Sequence, residues 1–487
     1  MTWQRTIGID LALEGKHAAI VCNERAEFVQ TKQYSFTSDL SEMENLITSF
    51  IPEHMNKEEV AVVMEPTSNA WVIVSSFFLS RGFRVFVVKT QKIYALRQYF
   101  KKHAKTDMID AKTLAKMPFV DSDHLTPLVV SPKDYFSLGK LIKLRDSIVS
   151  TISMHKNRIY AHFQLLNPKL MALLSDNKFT ALAKAFYRRY ANPLQVKKDG
   201  FGKMSSYLEK HAFGTPDQEL LQKIFDVSIS IAQLHDDITH HNEFIQLPYD
   251  MDTLQEIVHH ELDIIEFFDE KQKELEKEIE KVYTRIDPEK ILAQIKGLGG
   301  NIIAPALIAF TGSIKRFKNM RNYISYIGLV PKIKQSVGPQ QQGMSITKAG
   351  QQLLKKYYCL AADTARRFDV QFAHKYYVLT SRGLHHNQAI CALANMVARR
   401  VYSLLKRTQE AYEKNDQLKL KSIHYEFRDL NHKRISAVES YHLRQVNYPN
   451  KKEKQRLINK KKEKVAQTLC LGSLPNVKQS LTPVTPQ

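Results

Sequence analysis

The order of apolar and polar positions changes along the chain, and its first part predicts a sheet. Two short runs, 5–10 (RTIGID) and 17–22 (HAAIVC), predict strands joined by a turn at 14–16. A third strand is predicted within 27–36. Because the connections are short, we expect these three strands to pair antiparallel.

The pattern then alternates between helix and strand. We predict helices at 40–50 (capped by Ser38 or Asp39), at 71–80 and from Lys89 onward, and buried strands at 59–65 and 83–88. Three antiparallel strands followed by helix, strand, helix and strand is the order of the RNase H fold. Other α/β folds show a similar order, so the pattern favours this fold without fixing it.

Residues 131–287 are predicted to form a largely helical region that contains a heptad pattern. Its apolar positions are Met251, Leu254, Val258, Ile265, Phe268, Leu275, Ile279 and Val282. Glu261 and Gln272 are polar interruptions of the register. The pattern fits a coiled-coil hairpin, a dimer seam, or one amphipathic helix packed on its own domain.

A second compact region, 288–406, is predicted to be mainly helical. It opens with Gly297-Leu298-Gly299-Gly300, a turn that caps the following helix or holds a DNA phosphate through its backbone amides. A glycine- and glutamine-rich loop follows at 336–343. Residues 407–487 lose apolar periodicity and are expected to be a basic, partly disordered tail.

Composition narrows the class of partner. The 71 Lys and Arg against 50 Asp and Glu give a net charge of +21, which favours nucleic acid. The four cysteines form no CxxC pair, so we expect neither a disulfide framework nor a zinc finger. With no signal-peptide pattern and no apolar stretch of roughly 20 residues, we expect a cytoplasmic protein with no membrane partner.

Four acidic residues stand where a metal site of this fold needs them. Asp10 ends the first strand and Glu65 ends a later one, while Asp107 and Asp110 share one face of a helix. Carboxylates that converge repel each other unless divalent cations lie between them, and Mg²⁺ prefers all-oxygen ligands. The expected chemistry is phosphoryl displacement assisted by two metal ions.

Each carboxylate also has an ordinary explanation. An Asp after a strand is commonly a turn former or a helix cap, and Glu65 before Pro66 is equally an exposed strand end. An i, i+3 pair of Asp residues is more often a solvated helix face. The set is therefore a stronger indication than any one member.

With these motifs the chain resembles the DEDD transposases of insertion-sequence family one-ten, relatives of the pilin-gene DNA invertase. The first likeness lies in Gly8-Ile9-Asp10, Met64-Glu65-Pro66-Thr67 with Trp71, and Lys105-Thr106-Asp107 with Asp110-Ala111-Lys112. The second lies in Gly297-Leu298-Gly299, Phe317, Tyr326-Ile327-Gly328-Leu329-Val330-Pro331, Gln335-Ser336 and Lys348-Ala349-Gly350. The resemblance implies a RuvC-like catalytic domain at 1–130 and a transposase domain at 288–406.

The resemblance also implies a mechanism. Ser336 matches the family's catalytic serine, which attacks a DNA phosphate while metals held by the Asp, Glu, Asp, Asp tetrad stabilise the charge. It further implies a structured guide RNA that pairs with DNA, and a homodimer or homotetramer in which the tetrad of one subunit meets the serine of another.

The chain departs from the family pattern in three places. Its middle region and tail are longer, Val337 follows Ser336 where glycine is more common, and Lys355 replaces the usual arginine. Two other functions stay open: a junction-resolving metal-dependent nuclease, which needs the tetrad but not Ser336, and a nucleic-acid-binding protein on an inactive RNase-H-like scaffold.

Overall fold

The chain forms two compact units, Met1–Ser131 and Pro132–Gln487, in a computed structural model. The structure describes residues 3–66, 69–88, 90–99, 106–130, 132–174, 178–241, 247–332, 345–347 and 349–416. Among these residues, no helix combines the length and apolar character needed to cross a membrane.

The first unit is a five-stranded sheet with helices. Its strands are β1 (Arg5–Asp10), β2 (His17–Asn23), β3 (Tyr34–Phe36), β4 (Val60–Met64) and β5 (Arg84–Val87). Its helices are α1 (Leu40–Phe50), α2 (Ala70–Ser80), α3 (Thr90–Tyr99) and α4 (Asp107–Val120). The sheet order is β3-β2-β1-β4-β5.

Strand directions divide this sheet into two parts. β1, β2 and β3 pair antiparallel, whereas β4 and β5 run parallel to β1. The order and directions are compatible with an RNase-H-like fold, as the alternation of elements predicted. The third strand is shorter than the predicted range 27–36, because continuous pairing with β2 is limited to its last three residues, while Phe28 forms an isolated bridge with Cys22.

Side chains of the central strands alternate between two cores, one on each face of the sheet. Val62 and Met64 pack with the buried residues of α1 and α2, while Ala61 and Val63 pack with residues of α3 and α4. Of the two predicted caps, the carboxylate of Asp39 is the one that accepts hydrogen bonds from the backbone amides of the first turn of α1. Helices therefore cover both faces of the sheet.

The second unit is helical in the described residues, apart from an isolated β-bridge between Pro331 and Ile346. Its helices are α5 (Lys133–Leu166), α6 (Leu170–Leu173), α7 (Ala181–Tyr190), α8 (Pro193–His211), α9 (Gln218–His241), α10 (Met251–Ile286), α11 (Ile303–Thr311), α12 (Met320–Ile327), α13 (Gln352–Phe368), α14 (Val370–Ser381) and α15 (His386–Glu413). The final helix continues past residue 406, where the apolar pattern fades, because Thr408 and Ala411 are still buried.

Two long helices of this unit, α5 and α10, pack against each other and run antiparallel. The ion pair of Arg285 with Asp134 lies near one end (2.9 Å), and that of Arg145 with Glu276 lies further along (2.8 Å). One hydrophobic core surrounds the first part of α5 and the last part of α10, and a second core surrounds their other halves. The helices thus join two cores within one unit.

The heptad face of α10 is occupied within its own chain. Its eight apolar positions all belong to, or pack against, the two cores of the second unit. Glu261, one of the two polar interruptions, is buried and hydrogen-bonds His155 of α5. The pattern therefore marks an intramolecular helix pair, and the interpretation as a dimer seam is wrong for this face.

Candidate active site

Asp10 and Glu65 lie at the same edge of the sheet. The parallel register pairs Ile9 of β1 with Met64 of β4, and each acidic residue follows directly after its paired partner. Both side chains are half-buried. The carboxyl ends of two adjacent parallel strands thus bring these residues together, as expected from the predicted pairing.

Asp107 and Asp110 occupy the first turn of α4. This helix begins where the Thr106 hydroxyl accepts a hydrogen bond from the Ile109 amide (3.3 Å). Asp110 is only 4% exposed, whereas Asp107 is exposed. An acidic first turn is favoured by the helix dipole, and here it also leaves one carboxylate facing the protein.

Close packing fixes how α4 lies on β1. A Cβ atom added to Gly8 would lie 2.2 Å from the carbonyl oxygen of Ala111 and 2.2 Å from the amide nitrogen of Ala115. The Thr6 hydroxyl donates a 2.6 Å hydrogen bond to the Ala115 carbonyl. Since Ala115 meets Thr6 and Ala111 meets Gly8, the helix runs opposite to the strand.

This direction decides where the acidic turn lies. Proceeding from Ala115 through Ala111 toward the start of α4 follows β1 from Thr6 toward Asp10. The turn that contains Asp107 and Asp110 therefore lies toward the carboxyl end of β1. The backbone brings all four acidic residues to one end of the unit.

The donor set suits a hard divalent cation, since carboxylate oxygens from β1, β4 and α4 are the ligands that Mg²⁺ prefers. Across the described ranges, no three His, Cys, Asp or Glu side chains form a ligating group in their present rotamers. The four residues thus lie toward one end of the first unit, and the side chains of the described residues form no ligating group there.

Two lysines lie further along α4 than the acidic turn, a feature that the sequence reasoning did not single out. Lys112 and Lys116 on α4 both lie over the Phe28 ring, with their Nζ atoms 5.2 and 4.8 Å from its centroid. The i, i+4 spacing of the lysines was the available signal. Phe28 bridges Cys22, which pairs with Thr6, so this cationic pair lies toward the amino end of β1 and away from the acidic end. Lysine side chains are suited to contact the phosphates of a nucleic acid.

Ser336 lies outside the described residues, but the segments on either side of it, 330–332 and 345–347, pair with each other. The Lys332 amide donates to the Ser345 carbonyl and the Thr347 amide donates to the Val330 carbonyl, both at 2.9 Å. The two arms therefore pair as an antiparallel bridge. The stretch that contains Ser336 begins and ends at one place on the second unit.

Two glycines hold these arms in place. Gly328 ends α12 with a φ of 83°, and a Cβ atom on Gly350 would lie 2.4 Å from the Gly328 Cα atom. A side chain at either position would separate the backbones. The glycines that the family resemblance singled out thus have a packing reason for being there.

A groove of about 1000 Å³ lies beside the paired arms, and we call it the C-terminal groove. Its lining is Leu329, Pro331, Ser345, Ile346, Arg382, Gly383, Leu384, Asn387, Gln388, Cys391, Ala392, Asn395, Met396 and Arg399. The Asn395 amide donates a 3.1 Å hydrogen bond to the Leu329 carbonyl and so ties α15 to one arm. Arginine and amide side chains above an apolar floor suit a nucleic-acid strand.

The glycine turn that opens the C-terminal region packs on α13. A Cβ atom on Gly297, whose φ is 97°, would lie 2.6 Å from the Ala365 amide nitrogen and 2.7 Å from the Ala361 carbonyl oxygen. Close backbone approach therefore explains Gly297. The alternative role as a phosphate-holding turn stays a prediction.

Comparison with known proteins gives two family matches along the chain. Residues 7–168 match a model described as a transposase with the DEDD signature, and residues 289–378 match the transposase family IS116/IS110/IS902. The first match contains the four acidic residues, and the second contains Ser336.

Two curated relatives match most of the chain. An insertion element IS116 protein of 44.8 kDa from Streptomyces clavuligerus is 20% identical over 80% of this chain and 91% of its own length. An insertion element IS110 protein of 43.6 kDa from Streptomyces coelicolor is 21% identical over 71% of this chain and 82% of its own length. Both are described as uncharacterized. The sheet with its acidic edge and the paired family matches together show that the chain belongs to the IS110 family of DEDD transposases, the enzymes of mobile elements that act on DNA.

Proposed function

We propose that the chain is a site-specific DNA recombinase, guided by a structured RNA, which cuts and rejoins DNA with a metal-binding tetrad and a serine nucleophile. The observation that carries this proposal is the packing of α4 against β1. It is supported by the placement of Asp10, Glu65, Asp107 and Asp110 at one end of the first unit. An inactive scaffold has no need to gather four carboxylates there.

Each member of the tetrad has a distinct role in this proposal. Asp10 and Glu65 hold divalent cations, preferably Mg²⁺, from the sheet edge, while Asp110 and Asp107 approach from the helix. When bound, such cations stabilise the charge that builds up on the phosphoryl oxygens. Further along α4 and away from the tetrad, Lys112 and Lys116 contact the DNA backbone through its phosphates.

Ser336 supplies the nucleophile. Its Oγ atom bonds to the phosphorus, the bond from phosphorus to one deoxyribose oxygen breaks, and the strand end leaves as an alcohol after taking a proton. The protein is then joined to DNA through a phosphodiester. Reversal with a different strand end restores the serine and completes recombination.

Charge and the C-terminal groove support a nucleic-acid partner beyond the cut strand. The net charge of +21 favours polyanions, and the groove offers two arginines together with Asn387 and Gln388. The guide RNA and a homodimer or homotetramer are proposed from the family resemblance. The basic residues between 451 and 464 are proposed to contact the same nucleic acid.

The test compares four variants for cleavage, for strand exchange and for covalent protein–DNA adducts, with the guide RNA supplied. We expect Asp10→Asn and Asp110→Asn to abolish cleavage in Mg²⁺ while DNA binding persists. Ser336→Ala should abolish the adduct. Asp123→Asn is the matched control, since this exposed carboxylate of the same unit lies outside the tetrad.

The outcomes separate the alternatives. Cleavage that survives in Ser336→Ala without an adduct would identify a junction-resolving nuclease. Unchanged activity of Asp10→Asn in every assay would instead favour a nucleic-acid-binding protein on an inactive scaffold. Family membership leaves the transposase as the leading function.

A further inference from the structure

Two cysteines of the second unit face each other at the C-terminal groove. Cys359 on α13 and Cys391 on α15 share a hydrogen bond between their side chains. Cys391 lines the groove, and Cys359 packs at the margin of the C-terminal core. Both residues are partly exposed. The pair therefore bridges two adjacent helices where a small solute can reach it.

A lysine places positive charge beside this pair. Lys355 lies one turn before Cys359 on α13, and its ammonium group donates a 3.1 Å hydrogen bond to the Thr347 carbonyl in one arm of the Ser336 segment. The same charge acts on both thiols. The pair is therefore linked electrostatically to the arm that leads to Ser336.

The two thiols are made unequal by their contact. The hydrogen bond from Cys359 outweighs burial and, with Lys355, lowers the pKa of Cys391 to about 7. The same hydrogen bond, together with burial, raises the pKa of Cys359. Cys391 is thus the thiol of the pair that ionises more readily, with Cys359 as the donor, and a thiol whose pKa is near the ambient pH is the best attacking group in exchange.

Cys22 in the first unit offers a contrast. It is fully buried, and burial raises the pKa of its thiol to about 11. A buried, protonated thiol reacts slowly with oxidants. Cys22 therefore serves as an internal reference for reactivity.

We propose that Cys359 and Cys391 form a thiol modification site that reacts with a low-molecular-weight disulfide and closes to an intramolecular disulfide between α13 and α15. The Cys391 thiolate attacks one sulfur of the small disulfide and expels the other half as a thiolate. Cys359 then loses its proton to solvent and attacks the Cys391 sulfur, which expels the second small thiolate. Two protein thiols are oxidised, and one small disulfide is reduced to two thiols.

Oxidation changes the C-terminal groove. It removes the negative charge that Cys391 presents to Lys355, and it fixes the groove wall on α15 to α13. The ammonium of Lys355 is then left with the Thr347 carbonyl as its described hydrogen-bond acceptor. The modification therefore acts on the support of the arm next to Ser336.

The experiment uses the full chain in a Cys470→Ser background, because Cys470 lies outside the described residues. The protein is incubated with glutathione at graded ratios of oxidised to reduced form, quenched in acid, alkylated, and digested without reduction for mass spectrometry. We expect a cross-linked peptide pair containing Cys359 and Cys391, while Cys22 is alkylated only after unfolding.

Two single variants identify the order of steps. Cys359→Ser should stop at a glutathione adduct on Cys391, and Cys391→Ser should leave Cys359 largely unmodified. Alkylation of Cys391 in the parent should reach half its maximal rate near pH 7, and this midpoint should move upward in Cys359→Ala, which removes the hydrogen-bond donor. Circular dichroism confirms that each variant is folded.

Two results would contradict the proposed modification site. A stable glutathione adduct on Cys391 of the parent without cross-link would show that the thiols do not meet. If neither Cys359 nor Cys391 reacted faster than Cys22, the two thiols would not be accessible to the small disulfide. These readouts need no DNA, so they are independent of the proposed recombinase activity.

Discussion

Gly8 and Ala115 lie in backbone contact: a Cβ atom added to Gly8 would lie 2.2 Å from the amide nitrogen of Ala115. Only a residue without a side chain lets α4 approach β1 this closely. The contact, with the hydrogen bond from Thr6 to the Ala115 carbonyl, orients the helix whose first turn carries Asp107 and Asp110. β1 therefore provides both the glycine that lets α4 pack closely and Asp10 of the acidic set.

Gly8→Ala is expected to destabilise the first unit by about 2 kcal/mol, because the added methyl meets backbone atoms that no side-chain rotation can move. If the proposed function holds, cleavage should fall more than the loss of folded protein explains. Thermal and urea unfolding measure the first effect, and cleavage at a temperature where the variant is folded measures the second.

Gly202→Ala is the control for this variant, since an added Cβ there meets nothing within 4 Å. It should change the free energy of unfolding by no more than about 1 kcal/mol. Equal stability of both variants would mean that α4 does not pack on β1 as described.

Glu261→Ala should destabilise the second unit by about 3 kcal/mol, because it leaves the buried His155 ring without its carboxylate partner. Glu256→Ala on the same helix is the control: its side chain is 65% exposed, and it should cost less than about 1 kcal/mol. Chemical denaturation of both variants provides the comparison. Equal losses would contradict a buried pair between α5 and α10.

DNA binding should weaken steeply with salt, because Lys and Arg contacts to phosphate release counterions. With a net charge of +21 and a groove containing Arg382 and Arg399, we expect the affinity to fall at least tenfold between about 50 and 200 mM salt. Filter binding over this range measures the slope. An affinity that does not change would exclude a phosphate-dominated interface.

Arg399→Gln tests the C-terminal groove within the same measurement. Loss of one phosphate contact should reduce the salt slope by about one unit. Arg25→Gln, an exposed arginine in the turn after β2, is the control and should keep the parent slope.

Much of the fold was predictable from local patterns. Short apolar runs gave β1, β2, β4 and β5, and helical spacing gave α1 and α2, because burial of one face imposes a period on the sequence. The length of the third strand was overestimated, since only three consecutive residues of the predicted run form a strand with β2 and Phe28 adds an isolated bridge. Pairing depends on a partner strand, which the local pattern does not contain.

The heptad pattern likewise predicted an element correctly but not its partner. The positions from Met251 to Val282 correctly marked an amphipathic helix, but α5, far away in the chain, was the partner. Glu261 interrupts the register because His155 of that partner faces it. A periodic apolar face indicates that another element covers it. The three interpretations of the heptad pattern differed only in whether that element belongs to the same chain or to a second copy.

The order of acidic residues, glycines and apolar runs was by itself enough to indicate the enzyme family and the carboxylates to examine, because these properties belong to individual residues and their spacing. Only the tertiary structure decided that α4 runs against β1 and that α10 covers α5. The physical reason is that both depend on contacts between residues separated by a hundred positions or so. Such contacts are set by shape and by buried partners, neither of which a local pattern records.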